Sequence, residues 1–122
     1  MAISRILVVD DSPTEVYYLS EILIQHGFEV LTASSGADAI DQARKTTPDL
    51  IIMDVVMPGI NGFQATRELA KDERTLHIPV VFCTTKGEES DREWGRRQGA
   101  ADYLVKPVEE SVLIETIHNL SS

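Results

Sequence analysis

Short runs of Val, Ile and Leu alternate with longer segments in which apolar residues recur every three or four positions, and the alternation repeats five times. Runs of four or five mostly continuous apolar residues suit strands covered on both faces. Their alternation with helical period predicts an α/β fold on a parallel sheet. Strands are expected at Arg5–Val9, Glu29–Thr32, Leu50–Met53, Val80–Cys83 and Asp102–Val105. No Ser-, Gly- or Pro-rich linker interrupts the pattern, so residues 1–122 read as one domain.

The first helix has the clearest start. Ser12-Pro13-Thr14-Glu15 combines an N-cap hydroxyl, a proline at the first helical position and a capping-box glutamate. Val16, Leu19 and Leu23 then share one face with Ile22 beside them, and Gly27 is a natural stop. Further helices are expected over Ser35–Lys45, from Asn61 or Gly62 to Lys71, and over Glu109–Leu120, where Leu113, Ile117 and Leu120 form the buried stripe. The fourth helix, Glu88–Gln98, differs. Trp94 is its only large apolar residue and Gly95 weakens it further, so it should be loosely held, either a solvated helix at a sheet edge or a partner-binding face.

Charge and cysteine content narrow the function classes. Twenty acidic against eleven basic residues give a net charge of −9, which disfavours binding to a nucleic-acid backbone and suits solubility or divalent-cation affinity. Arg92, Arg96 and Arg97 are a weak counter-signal that reads as a solvated face. The single cysteine, Cys83, lies in the apolar run Val80-Val81-Phe82-Cys83 and reads as a buried small hydrophobe. No apolar run approaches a membrane span, and the N-terminus leads straight into a strand, so a cytoplasmic protein without membrane insertion is expected.

In open α/β sheets ligands bind beyond the carboxyl ends of the strands. Strand one ends in Asp10-Asp11, strand three in Asp54, strand four in Thr84-Thr85 and strand five in Lys106-Pro107. Three carboxylates, hydroxyls and an ammonium are thereby delivered to one edge. Such carboxylates repel one another unless a cation neutralises them. With only oxygen ligands on offer, Mg²⁺ fits best, Mn²⁺ is a substitute, and a closed zinc site is excluded by ligand type. A carboxylate beside Mg²⁺ and a lysine can attack phosphorus, because the cations neutralise the phosphoryl oxygens during transfer.

The segments ILVVDDSPTE, DLIIMDVVMPGINGF, IPVVFCTT and GAADYLVKPV resemble bacterial two-component response-regulator receiver domains of the CheY type over essentially the whole chain. The resemblance implies a flavodoxin-like, doubly wound, five-stranded parallel sheet of order 2-1-3-4-5 with five helices. It also implies that Asp54 accepts a phosphoryl group from a histidine-kinase phosphohistidine, that Asp11 ligates Mg²⁺ directly, and that Asp10 assists through water. The Val56 backbone carbonyl would complete the metal site. Lys106 would contact the phosphoryl group and precede a cis peptide to Pro107. Thr84 and Tyr103 would be the switch pair, and helix 4, strand 5 and helix 5 the surface read by a target protein. Val56 and Lys86 occupy positions that, by the same resemblance, vary within the family and affect phosphoryl lifetime.

Finer features, namely SPTE, MPGINGFQATRELAKD, TTKGEESDREWGRRQGA and the final KPV, are similar to PilH-type regulators of type IV pilus twitching motility. That similarity implies a stand-alone receiver without an output domain, monomeric when unphosphorylated, served by a chemotaxis-type histidine kinase and acting on another protein. A phosphate-sink receiver of another chemosensory pathway is the alternative. A Mg²⁺-dependent phosphatase of the haloacid-dehalogenase kind would need an acid where Val56 stands, and no free metabolite is expected to be turned over, so the chain is not read as an enzyme. A flavodoxin-like electron carrier would need a Ser/Thr-rich phosphate loop where Asp10-Asp11 would repel phosphate.

Overall fold

A computed structural model describes residues 2–121. The chain runs β1 (Arg5–Val9), α1 (Pro13–Gln25), β2 (Glu29–Ala33), α2 (Gly36–Thr46), β3 (Leu50–Met53), α3 (Gly62–Ala70), β4 (Val80–Thr84), α4 (Glu89–Arg97), β5 (Asp102–Val105) and α5 (Glu110–Leu120). The five strands form one sheet in the order β2-β1-β3-β4-β5, every neighbouring pair parallel. Each strand and helix expected from the apolar pattern is present, with the given ends shifted by at most one residue.

Side-chain parity divides the core into two layers. Leu7, Val9, Ile51, Met53, Val80, Phe82 and Tyr103 pack with Ala39 and Ala43 of α2 and Ala65 and Leu69 of α3. Ile6, Val8, Leu50, Ile52, Val81, Cys83 and Leu104 pack with Leu19 and Leu23 of α1 and Leu113 and Ile117 of α5. Strands buried on both faces explain why the apolar runs are continuous.

Local chemistry sets the helix starts. The Ser12 and Ser35 side chains accept from the Glu15 and Asp38 backbone N–H groups. Asn61 and Gln64 form a reciprocal capping box that opens α3. At α1 only the Ser12 half of the expected box is formed. Gly27, at φ +88°, follows the α1 C-cap.

Helix α4 buries as little as its sequence leads one to expect, and the one close contact it makes is informative. Trp94 is 46% exposed, and the only buried residue of the helix is Gly95. Gly95 therefore does more than lower helix propensity. It is the point at which α4 meets the sheet, since a Cβ built there would lie 2.8 Å from Tyr103 Cδ2.

Candidate functional site: an acidic pocket at the switch point of the sheet

The chain leaves β1 for β2 on one side and returns to β3 on the other, so the topological reversal falls between β1 and β3. Val9 pairs with Met53 in register, and the next residues, Asp10 and Asp54, emerge side by side at the carboxyl edge. The Asp54 N–H donates to Val9 O at 3.0 Å, and the Asp10 N–H to Ala33 O at 3.2 Å, which holds both exits to the sheet. Lys106 is delivered from the far side, its N–H donating to Thr84 O at 2.8 Å beyond the Thr84–Val105 pair. The Lys106–Pro107 bond is cis.

The same parity that divides the core divides the site. Asp10, Asp54 and Lys106 continue the rows of Val8, Ile52 and Leu104, which face α1 and α5. Thr84 and Tyr103 continue the row of Phe82, which faces α2 and α3. The acids and the ammonium therefore converge, while the hydroxyls stand on the α4 side.

Lys106 Nζ donates to Asp10 Oδ2 at 2.7 Å and to Asp54 Oδ2 at 3.3 Å, with side-chain exposures of 12%, 2% and 12% respectively. Burial alone would depress the lysine pKa. The Asp10 hydrogen bond and the charges of Asp54, Asp10 and Glu15 outweigh it, so the net shift is upward and the ammonium stays charged. The remaining oxygens are also engaged: Asp10 Oδ1 accepts from Ser12 N–H at 2.9 Å and Asp54 Oδ1 from Val56 N–H at 3.3 Å. Ser12 thus serves the site as well as capping α1, a contribution visible in the sequence only as a cap.

Asp11 completes the cluster. One carboxylate oxygen from each of Asp10, Asp11 and Asp54 lies within 4.8 Å of the others, the only such group of potential metal ligands among the described residues. Asp11 is exposed, and none of the hydrogen bonds among the described residues uses its carboxylate. An all-oxygen set with one uncommitted, solvent-facing carboxylate fits a hard divalent cation that keeps most of its water.

Gly62 is a positioning residue that pattern reading treated only as a helix start. A Cβ there would run into the Asp54 carbonyl oxygen and come within 3.0 Å of Val55 Cα, so only glycine lets α3 begin against the exit of β3. Its N–H donates to Val55 O at 2.9 Å.

On the other side, Thr84 is fully buried and its Oγ1 accepts from Lys86 N–H at 3.3 Å. Tyr103 is 8% exposed, and its hydroxyl donates to Lys86 O at 2.6 Å. The Tyr103 ring meets Phe82 at 6.0 Å and 62°, Arg92 lies 5.9 Å above its face, and burial pushes its phenol up to about 12. The backbone of Lys86 thus joins the Thr84 and Tyr103 hydroxyls, a link no sequence motif signals. Neither hydroxyl bonds to the carboxylates.

The family profile for the response regulator receiver domain matches residues 6–118. The chain belongs to that family. This receiver is 56% identical over 115 residues to Protein PilH of Pseudomonas aeruginosa, covering 94% of this chain and 95% of that protein. It is 41% identical to the response regulator PleD of Caulobacter vibrioides, matching 97% of this chain but 26% of PleD. Among solved structures, the chemotaxis protein CheY4 of Vibrio cholerae superposes with a TM-score of 0.90 at 32% identity, over 97% of this chain and 98% of that one. The receiver domain of a sensor histidine kinase from Pseudomonas aeruginosa, solved with a magnesium ion coordinated in its active-site cleft, gives 0.89 at 30% identity over 97% of both chains. The CheY-like fold, the membership of two-component signalling and the relationship to PilH are thus established for this receiver. No helix among the described residues is long and apolar enough to cross a membrane.

Proposed function

We propose that this receiver is a phosphorylation switch in which Asp54 takes a phosphoryl group from the phosphohistidine of a chemotaxis-type histidine kinase. The observation that carries the proposal is the Lys106 ammonium held between Asp10 and Asp54 beside the uncommitted carboxylate of Asp11. In the transfer an Asp54 carboxylate oxygen forms a P–O bond as the P–N bond breaks, and the electron pair returns to the imidazole nitrogen. Lys106 is already within hydrogen-bond reach of the nucleophile, so it contacts the incoming phosphoryl oxygens without a large movement.

Asp11 would hold Mg²⁺ directly, with an Asp54 oxygen and the Val56 backbone carbonyl, while Asp10, committed to Ser12 and Lys106, acts through water. When bound, the ion neutralises charge on the transferring group, and Mn²⁺, another hard oxygen-preferring cation, would do the same.

Thr84 is the group that responds. A charged phosphoryl oxygen is a strong acceptor for the Thr84 hydroxyl proton, so Thr84 Oγ1 turns to donate to it, and that movement disturbs the bond it accepts from Lys86 N–H. Because Lys86 O also receives the Tyr103 hydroxyl, a movement of this loop reaches Tyr103 and the face formed by α4, β5 and α5, which a target protein reads.

The relationship to PilH supports a role in chemotaxis-type control of type IV pilus twitching motility, with the phosphate-sink reading as its competitor. We place the protein in the cytoplasm, as a monomer when unphosphorylated, with no nucleic-acid target and no turnover of a free metabolite. The test is deletion of the gene and complementation with wild type or Asp54→Asn, read as the diameter of the twitching zone. Restoration by wild type alone supports the proposal, and equal restoration by Asp54→Asn refutes it.

A further inference from the structure

We propose that Gly95 is the residue that admits the Tyr103 ring beneath α4, and that the missing methyl at this position makes the inward place of the ring available to the switch surface. Three observations converge on it. Gly95 is the only buried residue of α4, so the position of the helix over the sheet is decided there. A Cβ at Gly95 would stand 2.8 Å from Tyr103 Cδ2, 3.0 Å from Cε2 and 3.4 Å from Phe82 Cδ2, the two nearest closer than carbon atoms approach without displacement. The ring cannot shift freely in the plane of the sheet, because its hydroxyl is tied to Lys86 O at 2.6 Å and its edge meets Phe82.

The remaining ways to relieve a methyl are to lift α4 or to turn the ring out. Both alter the α4–β5 surface. Lifting the helix also draws Arg92 away from the Tyr103 face and strains the bond from Arg67 Nη1 to Gln98 Oε1 that ties α3 to the end of α4. Glycine at 95 therefore gives Tyr103 the room to lie inward with its hydroxyl on Lys86. The surface a partner meets depends on this one absent methyl as well as on the phosphoryl group. The functional consequence rests on the switch role of Thr84 and Tyr103 proposed above, whereas the packing consequence does not.

The test exploits a reversal of sign. In a helix interior alanine is ordinarily more favourable than glycine. Gly95→Ala should nevertheless lower the thermal midpoint of the wild-type protein and raise it in a Tyr103→Ala background, where the ring is gone. In full-length Gly95→Ala, ring NOEs between Tyr103 and Phe82 should weaken about tenfold relative to wild type, with or without phosphorylation, as the ring leaves the inward position in most molecules. Phosphoryl uptake at Asp54 from acetyl phosphate with Mg²⁺ should persist. A midpoint raised equally in both backgrounds, with the Tyr103–Phe82 NOEs unchanged, overturns the proposal. If Gly95→Ala behaves as expected but phosphorylation of wild type leaves the Tyr103 resonances unmoved, the packing inference stands and the switch role of Tyr103 falls.

Discussion

Replacing Asp11 with asparagine should make the metal-free receiver more stable. Asp11 places an exposed carboxylate within 4.8 Å of oxygens from both Asp10 and Asp54, and it takes part in none of the hydrogen bonds among the described residues. At about 5 Å, two like unit charges repel by roughly 0.8 kcal/mol in a water-like dielectric and by several times more in a protein-like one. The exposure of Asp11 favours the lower figure, and attraction to Lys106 offsets part of it. The net gain from Asp11→Asn is about 1 kcal/mol at low ionic strength, a rise of about 3–5 °C in the midpoint for a domain of this size. The gain should shrink as salt approaches physiological strength.

The assay is thermal unfolding followed by circular dichroism, first in EDTA and then across a Mg²⁺ titration. Wild type should gain stability with the logarithm of Mg²⁺ concentration, by about 2.7 kcal/mol at a hundredfold excess over the dissociation constant, while Asp11→Asn stays nearly flat. The two curves should therefore cross. If Asp11→Asn is no more stable than wild type in EDTA, the three carboxylates do not repel as their spacing requires. If it keeps the full Mg²⁺ response, Asp11 is not a ligand.

Other consequences concern the scaffold. Thr47 closes α2 with a left-handed backbone at φ 41°, costly for a β-branched residue, and Thr47→Gly should stabilise the domain by about 1 kcal/mol in denaturant titrations. Asp49 Oδ2 accepts from Arg5 N–H and Ser4 N–H at 2.9 Å each, and these bonds, Arg5 first, hold its pKa below the usual carboxylate value. A depressed folded pKa contributes stability that is present above the unfolded value and lost as pH falls through the folded one. Asp49→Ala should therefore cost about 1–2 kcal/mol at neutral pH and progressively less below about pH 4, an effect discounted for partial exposure. A penalty independent of pH would contradict that cause. Cys83 is 1% exposed and burial pushes its thiol up to about 12, so a thiol reagent at pH 8 should label it only at the rate of unfolding.

Much of this was legible in the sequence because the deciding forces are local. Continuous apolar runs such as Leu50–Met53 are strands because both faces are covered, and Ser12-Pro13 and Asn61-Gly62 start helices through their own side chains and backbones. Residues that follow strands, Asp10, Asp11, Asp54 and Lys106, were readable as a site because strand ends gather at one edge of the sheet. What stayed hidden depends on contacts between elements distant in the chain. Gly95 looked like a weak point in a polar helix until β5 placed Tyr103 beneath it. The link between the Thr84 and Tyr103 hydroxyls runs through the Lys86 backbone, which has no residue-specific signature. Exposure of Trp94 was likewise not inferable, since the face of α4 that meets the sheet is chosen by Gly95.

The most direct measurement of the central claim is intact-protein mass spectrometry after incubation with acetyl phosphate, comparing wild type with Asp54→Asn in the presence and absence of Mg²⁺. One phosphoryl adduct is predicted in wild type with Mg²⁺, and none with EDTA or in folded Asp54→Asn. An adduct that survives the substitution, or that forms equally without the ion, would contradict the assignment of Asp54 as the phosphoryl acceptor of a metal-dependent switch.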